Sequence, residues 1–200
     1  MYLKETLKKA VESVTGIGRP SARALRQAVH ERKAHKTMFK DDGKIPNNPK
    51  LPFIHYRSAV GVPSSGDPAA TFEELFKRNG WGDSWRNGIY DYVHYHSSIH
   101  EALGVARGAA SVRFGGDHGK IFELQTGDVA ILPAGTGHQC IRASKDLVVV
   151  GAYPRSGKYD KCTGSEEERE RALKSIPKVP VPAKDPVYGA NGPLLDAWKR

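Results

Sequence analysis

Four side chains in two stretches of this sequence have the types and spacing of a metal site. In Gly88 to Gly108, GIYDYVHYHSSIHEALGVARG, His94 and His96 stand two apart in a run of aromatic and β-branched residues. On a strand that spacing sends both imidazoles to one face. Ser97 to His100 is polar and short enough to turn the chain. Glu101 then opens a second apolar run and can bring a carboxylate back beside the imidazoles. In Gly127 to Arg142, GDVAILPAGTGHQCIR, residues 133–137 read as a tight turn with His138 directly after it. Three nitrogens and one oxygen suit one divalent metal per chain, Fe, Mn or Ni first, with Zn and Cu compatible. A six-coordinate metal would keep two positions open for water, dioxygen or a bidentate substrate, which separates a catalytic site from a closed structural one.

The alternation that turns His94 and His96 inward carries Tyr90 and Tyr92 with them, and His138 carries Cys140 and Arg142. These four are candidate substrate contacts. An inward Arg142 would favour a carboxylate or phosphate on the substrate. The blander alternative, Cys140 packing and Arg142 reaching solvent, stays open. His100 adjoins Glu101 and faces the other way on a regular strand, which predicts a place at the rim or behind the ligands. It replaces Glu101 only if the turn twists. His100 and Tyr92 are the candidate catalytic groups.

The elements that must position these residues are short strands. Candidates lie at 53–60, 89–96, 101–107, 109–114, 120–124, 127–132, 138–143 and 146–152, with turn residues between them, as in a sandwich or small barrel. His55 reads as a strand residue and not a ligand. Thr71 and Glu74 read as the capping box of a helix over about 71–79, and Trp81 and Trp85 as flanking a polar turn at one end of the barrel. Before the barrel, Leu3, Leu7, Ala10, Val11 and Val14 share a helical face, Gly16-Ile17-Gly18 breaks that helix, and Ser21 caps a second running to about Lys33. Residues 36–52 read as an extended surface segment. After the barrel, Ser165 and Glu168 form a capping box, and the Pro-rich tail packs outside the barrel or across a subunit boundary. The division is a basic helical extension at 1–35, a barrel at 36–155, and a C-terminal helix and tail at 156–200.

These residues resemble the cupin superfamily, whose motifs are G-x5-H-x-H-x4-E-x6-G and G-x5-P-x-G-x2-H-x3-N. Gly88, His94, His96, Glu101 and Gly108 fall on the first at every spacing, and Gly127, Pro133, Gly135 and His138 on the second. Arg142 stands where the pattern has Asn, a position that is not a metal ligand in the family. The resemblance spans roughly residues 85–152. FKDDGKIPNNPKLP, NGWGDSWRNGIYDY and VVVGAYP extend it toward the bacterial YjlB-like cupins. It implies an all-β core, a jelly-roll barrel of the double-stranded β-helix kind with α-helices added at both ends. It also implies metal held by His94, His96, Glu101 and His138, and a homodimer.

The totals exclude some classes. No apolar run of about 18 residues is present, which argues against a membrane span. The first residues, MYLKETLKKAVESV, lack the pattern of a secretory signal. Cys140 and Cys162 make no disulfide framework, so the expected compartment is the cytoplasm. Of 31 basic and 22 acidic residues, ten basic and three acidic fall in residues 1–40, so the net charge of +9 belongs mostly to that arm. VTGIGRPSARAL could be a DNA-binding helix-hairpin-helix, but a single unit without aromatic or base-reading residues reads better as amphipathic helices packing on the barrel or a partner subunit. The expected function is that of a metal-dependent, oxygenase-like enzyme acting on a small organic molecule. Isomerase or lyase chemistry uses the same ligands, and a non-catalytic binding or sensing module is the alternative.

Overall fold

The computed structural model describes residues 2–15, 18–62 and 66–199. In chain order these form α1 (Tyr2–Thr15), α2 (Ala22–Ala28), β1 (His35–Thr37), β2 (Phe53–Tyr56), α3 (Pro68–Arg78), β3 (Trp81–Asn87), β4 (Glu101–Arg107), β5 (Ala109–Phe114), β6 (Lys120–Gln125), β7 (Val129–Leu132), β8 (His138–Ala143), β9 (Val148–Pro154), α4 (Glu166–Ser175) and α5 (Pro193–Ala197). Every strand pairing is antiparallel, in a six-stranded sheet ordered β1-β2-β7-β4-β9-β3 and a three-stranded sheet ordered β6-β5-β8. This is the jelly-roll barrel that the resemblance implies, with helices before and after it.

The inner strands of the large sheet, β2, β7, β4 and β9, are buried almost along their whole length because both faces of the sheet are covered there. Phe53, Leu103, Val105, Leu132 and Val149 point into the barrel against Val112, Phe114 and Leu124 of the small sheet. The alternate residues Ile54, Tyr56, Ala102, Ile131 and Val150 point outward beneath Phe72 and Phe76 of α3 and Leu194 and Trp198 of the tail. The tail is tied down by directed bonds. Trp198 Nε1 donates to the Pro52 carbonyl at 2.8 Å, Trp81 Nε1 to the Lys184 carbonyl at 2.9 Å, and the Tyr56 hydroxyl to Asp185 at 2.5 Å.

Several local expectations need correction. Residues 89–96 do not form a regular strand; they run beside β8 with an isolated bridge between His94 and His138. The strand on that side is β3, whose polar WGDSWRN pattern hides it because a bulge between Gly82 and Trp85 interrupts its ladder with β9. Helix α3 is capped by Asp67, whose side chain accepts from the Ala69 N–H at 3.1 Å, and Pro68 follows, so Thr71 is a buried residue inside the helix. Ser21 caps α2 as expected, but that helix stops at Ala28. The Ser165–Glu168 capping box of α4 is present. The segment at 36–52 is no surface strap throughout, since Ile45, Asn47 and Asn48 are buried.

Helix α1 docks with the wrong face for an amphipathic helix. Leu3, Leu7 and Val11 of the expected stripe are 85%, 67% and 52% exposed, while Glu5 and Glu12 are buried. The side chain of Val14 and the Gly16-Ile17 break lie outside the described residues.

Candidate metal centre and its cavity

Glu101 begins β4 on the parity of Leu103 and Val105, so its carboxylate points into the barrel. His138 begins β8, and its backbone N–H and carbonyl exchange bonds with the carbonyl and N–H of His94 at 2.9 and 3.1 Å. The turn before His138 is braced from two sides. The Gly135 N–H donates to the His96 carbonyl at 2.7 Å, and the Gly137 N–H donates to Asn47 Oδ1 at 3.2 Å. Gly135 has φ +95°, and a Cβ there would lie 2.8 Å from the Asn47 carbonyl oxygen, which explains the glycine in the turn. The two asparagines of PNNP are therefore supports of the site, with Asn48 Nδ2 donating to the Ala134 carbonyl at 2.9 Å.

His94, His96 and His138 bring one ligand nitrogen each within 4.8 Å of one another. A carbonyl oxygen only accepts, so each Nδ1 that bonds one must carry the proton. Nδ1 of His94 faces the Tyr92 carbonyl at 3.2 Å, that of His138 the Thr136 carbonyl at 3.3 Å, and that of His96 the Asp160 carbonyl. All three rings are thus held as the tautomer that leaves the Nε2 lone pair free for a cation. Glu101 Oε2 lies 3.4 Å from Nε2 of both His96 and His138 and is buried without a hydrogen-bond partner. A buried carboxylate oxygen without a partner is costly, and a divalent cation among these four groups would satisfy it. The donor set fits a metal.

The electrostatics agree. Burial pushes the Glu101 carboxyl up, but His96, His138 and the Tyr153 hydroxyl outweigh it and hold it at about 2. Burial pushes His94 down, and burial with the neighbouring His94 pushes His138 well below the usual imidazole range, so both stay neutral and able to ligate. Burial also pushes His96 down, but Glu101 outweighs it and the net direction is up.

The centre forms the floor of a cavity of about 450 Å³ whose walls include Trp85, Tyr90, Tyr153 and Tyr159. Trp85 faces Gly151 across the β3–β9 ladder, where a Cβ would lie 2.0 Å from the indole, so glycine makes room for the ring. Trp85 Nε1 donates to the Tyr153 hydroxyl at 2.8 Å, and that hydroxyl helps to hold the Glu101 carboxyl down. Trp85 is therefore a cavity wall and not an end cover. Tyr153 and Tyr159 carry no motif; inward parity on β9 could have found the first, and nothing local the second. Tyr153→Phe is expected to weaken metal binding roughly tenfold by removing the hydroxyl that helps to keep Glu101 ionised. A competition titration against a chromogenic chelator reads this, and an unchanged affinity would show that Glu101 holds its place without the hydroxyl.

Other expected site residues lie elsewhere. Tyr90 lines the cavity, but Tyr92 stacks outside it with ring centroids 4.9 Å apart, and Lys161 Nζ donates to its hydroxyl at 3.0 Å. Strand alternation fails there because the segment is irregular. His100 is not at the rim; it is fully buried on the outer side of the sheet, where its Nδ1 accepts from the Ala134 N–H at 2.9 Å and its ring lies 4.7 Å from Trp198. A register shift lets β5 residues Ser111 and Val112 pair with Arg142 and Cys140, leaving Ile141 as the extra residue. Past that bulge the faces exchange. Cys140 packs beside the inter-sheet core, and Arg142 is exposed on the outer face near Glu123, away from the metal centre. His55 is paired with Asp128 at 3.0 Å.

No family model matches the chain. The uncharacterised protein YjlB of Bacillus subtilis (strain 168) is 39% identical over 168 residues, covering 84% of this chain and 98% of that one. Among solved structures, an uncharacterised conserved protein with a double-stranded β-helix domain from Klebsiella pneumoniae aligns at 12% identity over 70% of this chain and 89% of its own, with a TM-score of 0.34. Acireductone dioxygenase from Bacillus anthracis, with cadmium in its active centre, aligns at 16% over 48% and 68%, with a TM-score of 0.33. Both superpositions are loose, and the relationship rests on the sequence match. Among the described residues, no helix is long and apolar enough to cross a membrane.

Proposed function

The chain belongs to the YjlB family of cupins, and from that premise we propose that it is a mononuclear metalloenzyme of oxygenase type acting on a small organic molecule. One observation carries the reading: three Nε2 atoms and the partnerless Glu101 Oε2 converge on the floor of a cavity large enough for a substrate. His94, His96, His138 and Glu101 would hold the metal. When bound, it would supply a Lewis acid and, as Fe or Mn, a redox centre. The protein's own groups do the rest. Three backbone carbonyls fix the imidazole orientations, and the Tyr153 hydroxyl helps to keep the carboxylate ionised. Trp85, Tyr90 and Tyr159 line the cavity with aromatic surface that favours a planar or apolar substrate body.

The test is metal content per chain in protein purified without a chelating tag, followed by oxygen uptake with added Fe(II) across a panel of small hydroxylated and oxo-acid compounds. About one metal per chain and substrate-dependent oxygen uptake are expected. Metal without oxygen uptake would redirect the reading to isomerase or lyase chemistry, or to a binding module. Protein that neither carries nor takes up metal would overturn it.

A further inference from the structure

We propose that α1 is a movable roof over the metal cavity, held shut by exchangeable ion pairs, so that access to the site is regulated by that latch; this rests on the reading of the cavity as the working site. Thr6 and Lys9 of α1 line the cavity beside Ser84, Trp85 and Arg86 of β3. The bonds that hold the helix there are polar. Glu12 accepts from Arg86 at 2.7 Å and Glu5 from Arg107 at 2.9 Å. Lys8 lies 3.2 Å from Asp67 and Lys9 3.7 Å from Glu73, and Lys9 Nζ also donates to the Ser84 carbonyl.

A helix that buries an apolar stripe is held by the area it removes from water. Here Leu3, Leu7 and Val11 face solvent, so little apolar area would be lost when the helix lifts. Among the described side chains much of the attachment is ionic, and the desolvation of buried charges offsets much of the attraction between them. Lys8 and Arg107 are nearly half exposed, where ion pairs are weak and screened by salt. Such attachments belong to the low-stability end of a structure, from which moving parts are drawn.

The charge layout makes opening reversible. To these contacts the helix contributes Glu5, Glu12, Lys8 and Lys9, with Lys4 as a further base; α3 and its cap contribute Glu73 and Asp67, and the barrel Arg86 and Arg107. The groups that make the ion pairs balance on each side, two acids against two bases. With the helix lifted, Arg86 keeps Asp67 at 2.6 Å and Glu73 at 2.8 Å. On the freed helix, Glu5 with Lys9 and Lys8 with Glu12 stand four apart, the spacing at which helical charges pair with one another. Opening thus exchanges ion-pair partners, and Arg107, which loses Glu5, is nearly half exposed to water already.

Tryptophan fluorescence reports the motion in the full chain. Trp81 and Trp198 are 1% and 0% exposed, whereas Trp85 is half-buried in the cavity wall that the roof covers. The acrylamide quenching constant is expected to rise roughly threefold between about 20 mM and about 1 M salt. In low salt the double variant Lys8→Glu/Lys9→Glu, which sets like charges against Asp67 and Glu73, is expected to show the raised constant already, and Lys8→Ala/Lys9→Ala an intermediate one. Circular dichroism checks that each variant is folded. Metal uptake by metal-free protein should accelerate in the same order. A quenching constant unchanged by salt and by both variants would overturn the roof while leaving the metal reading intact. A salt-dependent constant in protein that never binds metal would support the roof and sink the metal reading.

Discussion

His138→Ala is expected to leave a folded protein with no stoichiometric metal. His138 is the one ligand contributed by the second motif. Its Nε2 lies 3.4 Å from the Glu101 carboxylate, and its ring is kept neutral by burial. Removing it takes away a third of the nitrogen donors, and the loss in affinity should exceed the roughly 10- to 100-fold that follows loss of a hydrogen-bonding partner behind a ligand. Elemental analysis of the purified protein, with a chelator competition to obtain the affinity, reads the result. His100→Ala is the matched control. That ring faces the outer side of the sheet, so metal should stay near one per chain even if the fold is weakened. Metal retained in the first variant and lost in the second would exchange the roles of the two histidines.

Trp198→Ala should cost about 3–5 kcal/mol, the range for removing a large aromatic side chain from a packed interior. The indole is fully buried, donates to the Pro52 carbonyl at 2.8 Å, and packs on His100. Its loss opens a cavity over the outer face of the large sheet and leaves a buried carbonyl without its donor. A urea titration should show the midpoint falling with little change in slope. An unchanged midpoint would mean that the tail decorates a barrel already stable without it.

The sequence made the ligand set and most strands legible because both follow from local rules. Fixed spacing picked out His94, His96, Glu101 and His138 as candidate ligands, and the fold brings the three imidazoles within 4.8 Å of one another with the Glu101 carboxylate 3.4 Å from two of them. The failures occur where a local rule meets a distant partner. Alternation from His138 to Arg142 breaks at a bulge created by pairing with β5, which leaves no mark on β8 itself. The polar WGDSWRN segment reads as a turn until its pairing with β9 is known. The N-terminal stripe looks buried because apolar residues usually are. The four-carboxylate surroundings of Arg86, assembled from α1 and α3, are what turned the helix over. Asn47 and Asn48 read as loop residues because their partners lie near Gly115, Ala134 and Gly137, far along the chain.

The strand order of the large sheet has a consequence for how the protein is made. Only β1 and β2 are neighbours both in sequence and in space; β7 must enter between β2 and β4, and β9 between β4 and β3. A nascent chain that has reached residue 125 already contains β2, β3 and β4 with their apolar faces, yet none of the strands that join them. Such long-range pairing is slow, so the apolar surface of the ribosome-bound chain stays uncovered until β9 emerges. It also contains His94, His96 and Glu101 by then, three of the candidate ligands without the fourth. The candidate metal centre is assembled only from the moment β8 joins the small sheet.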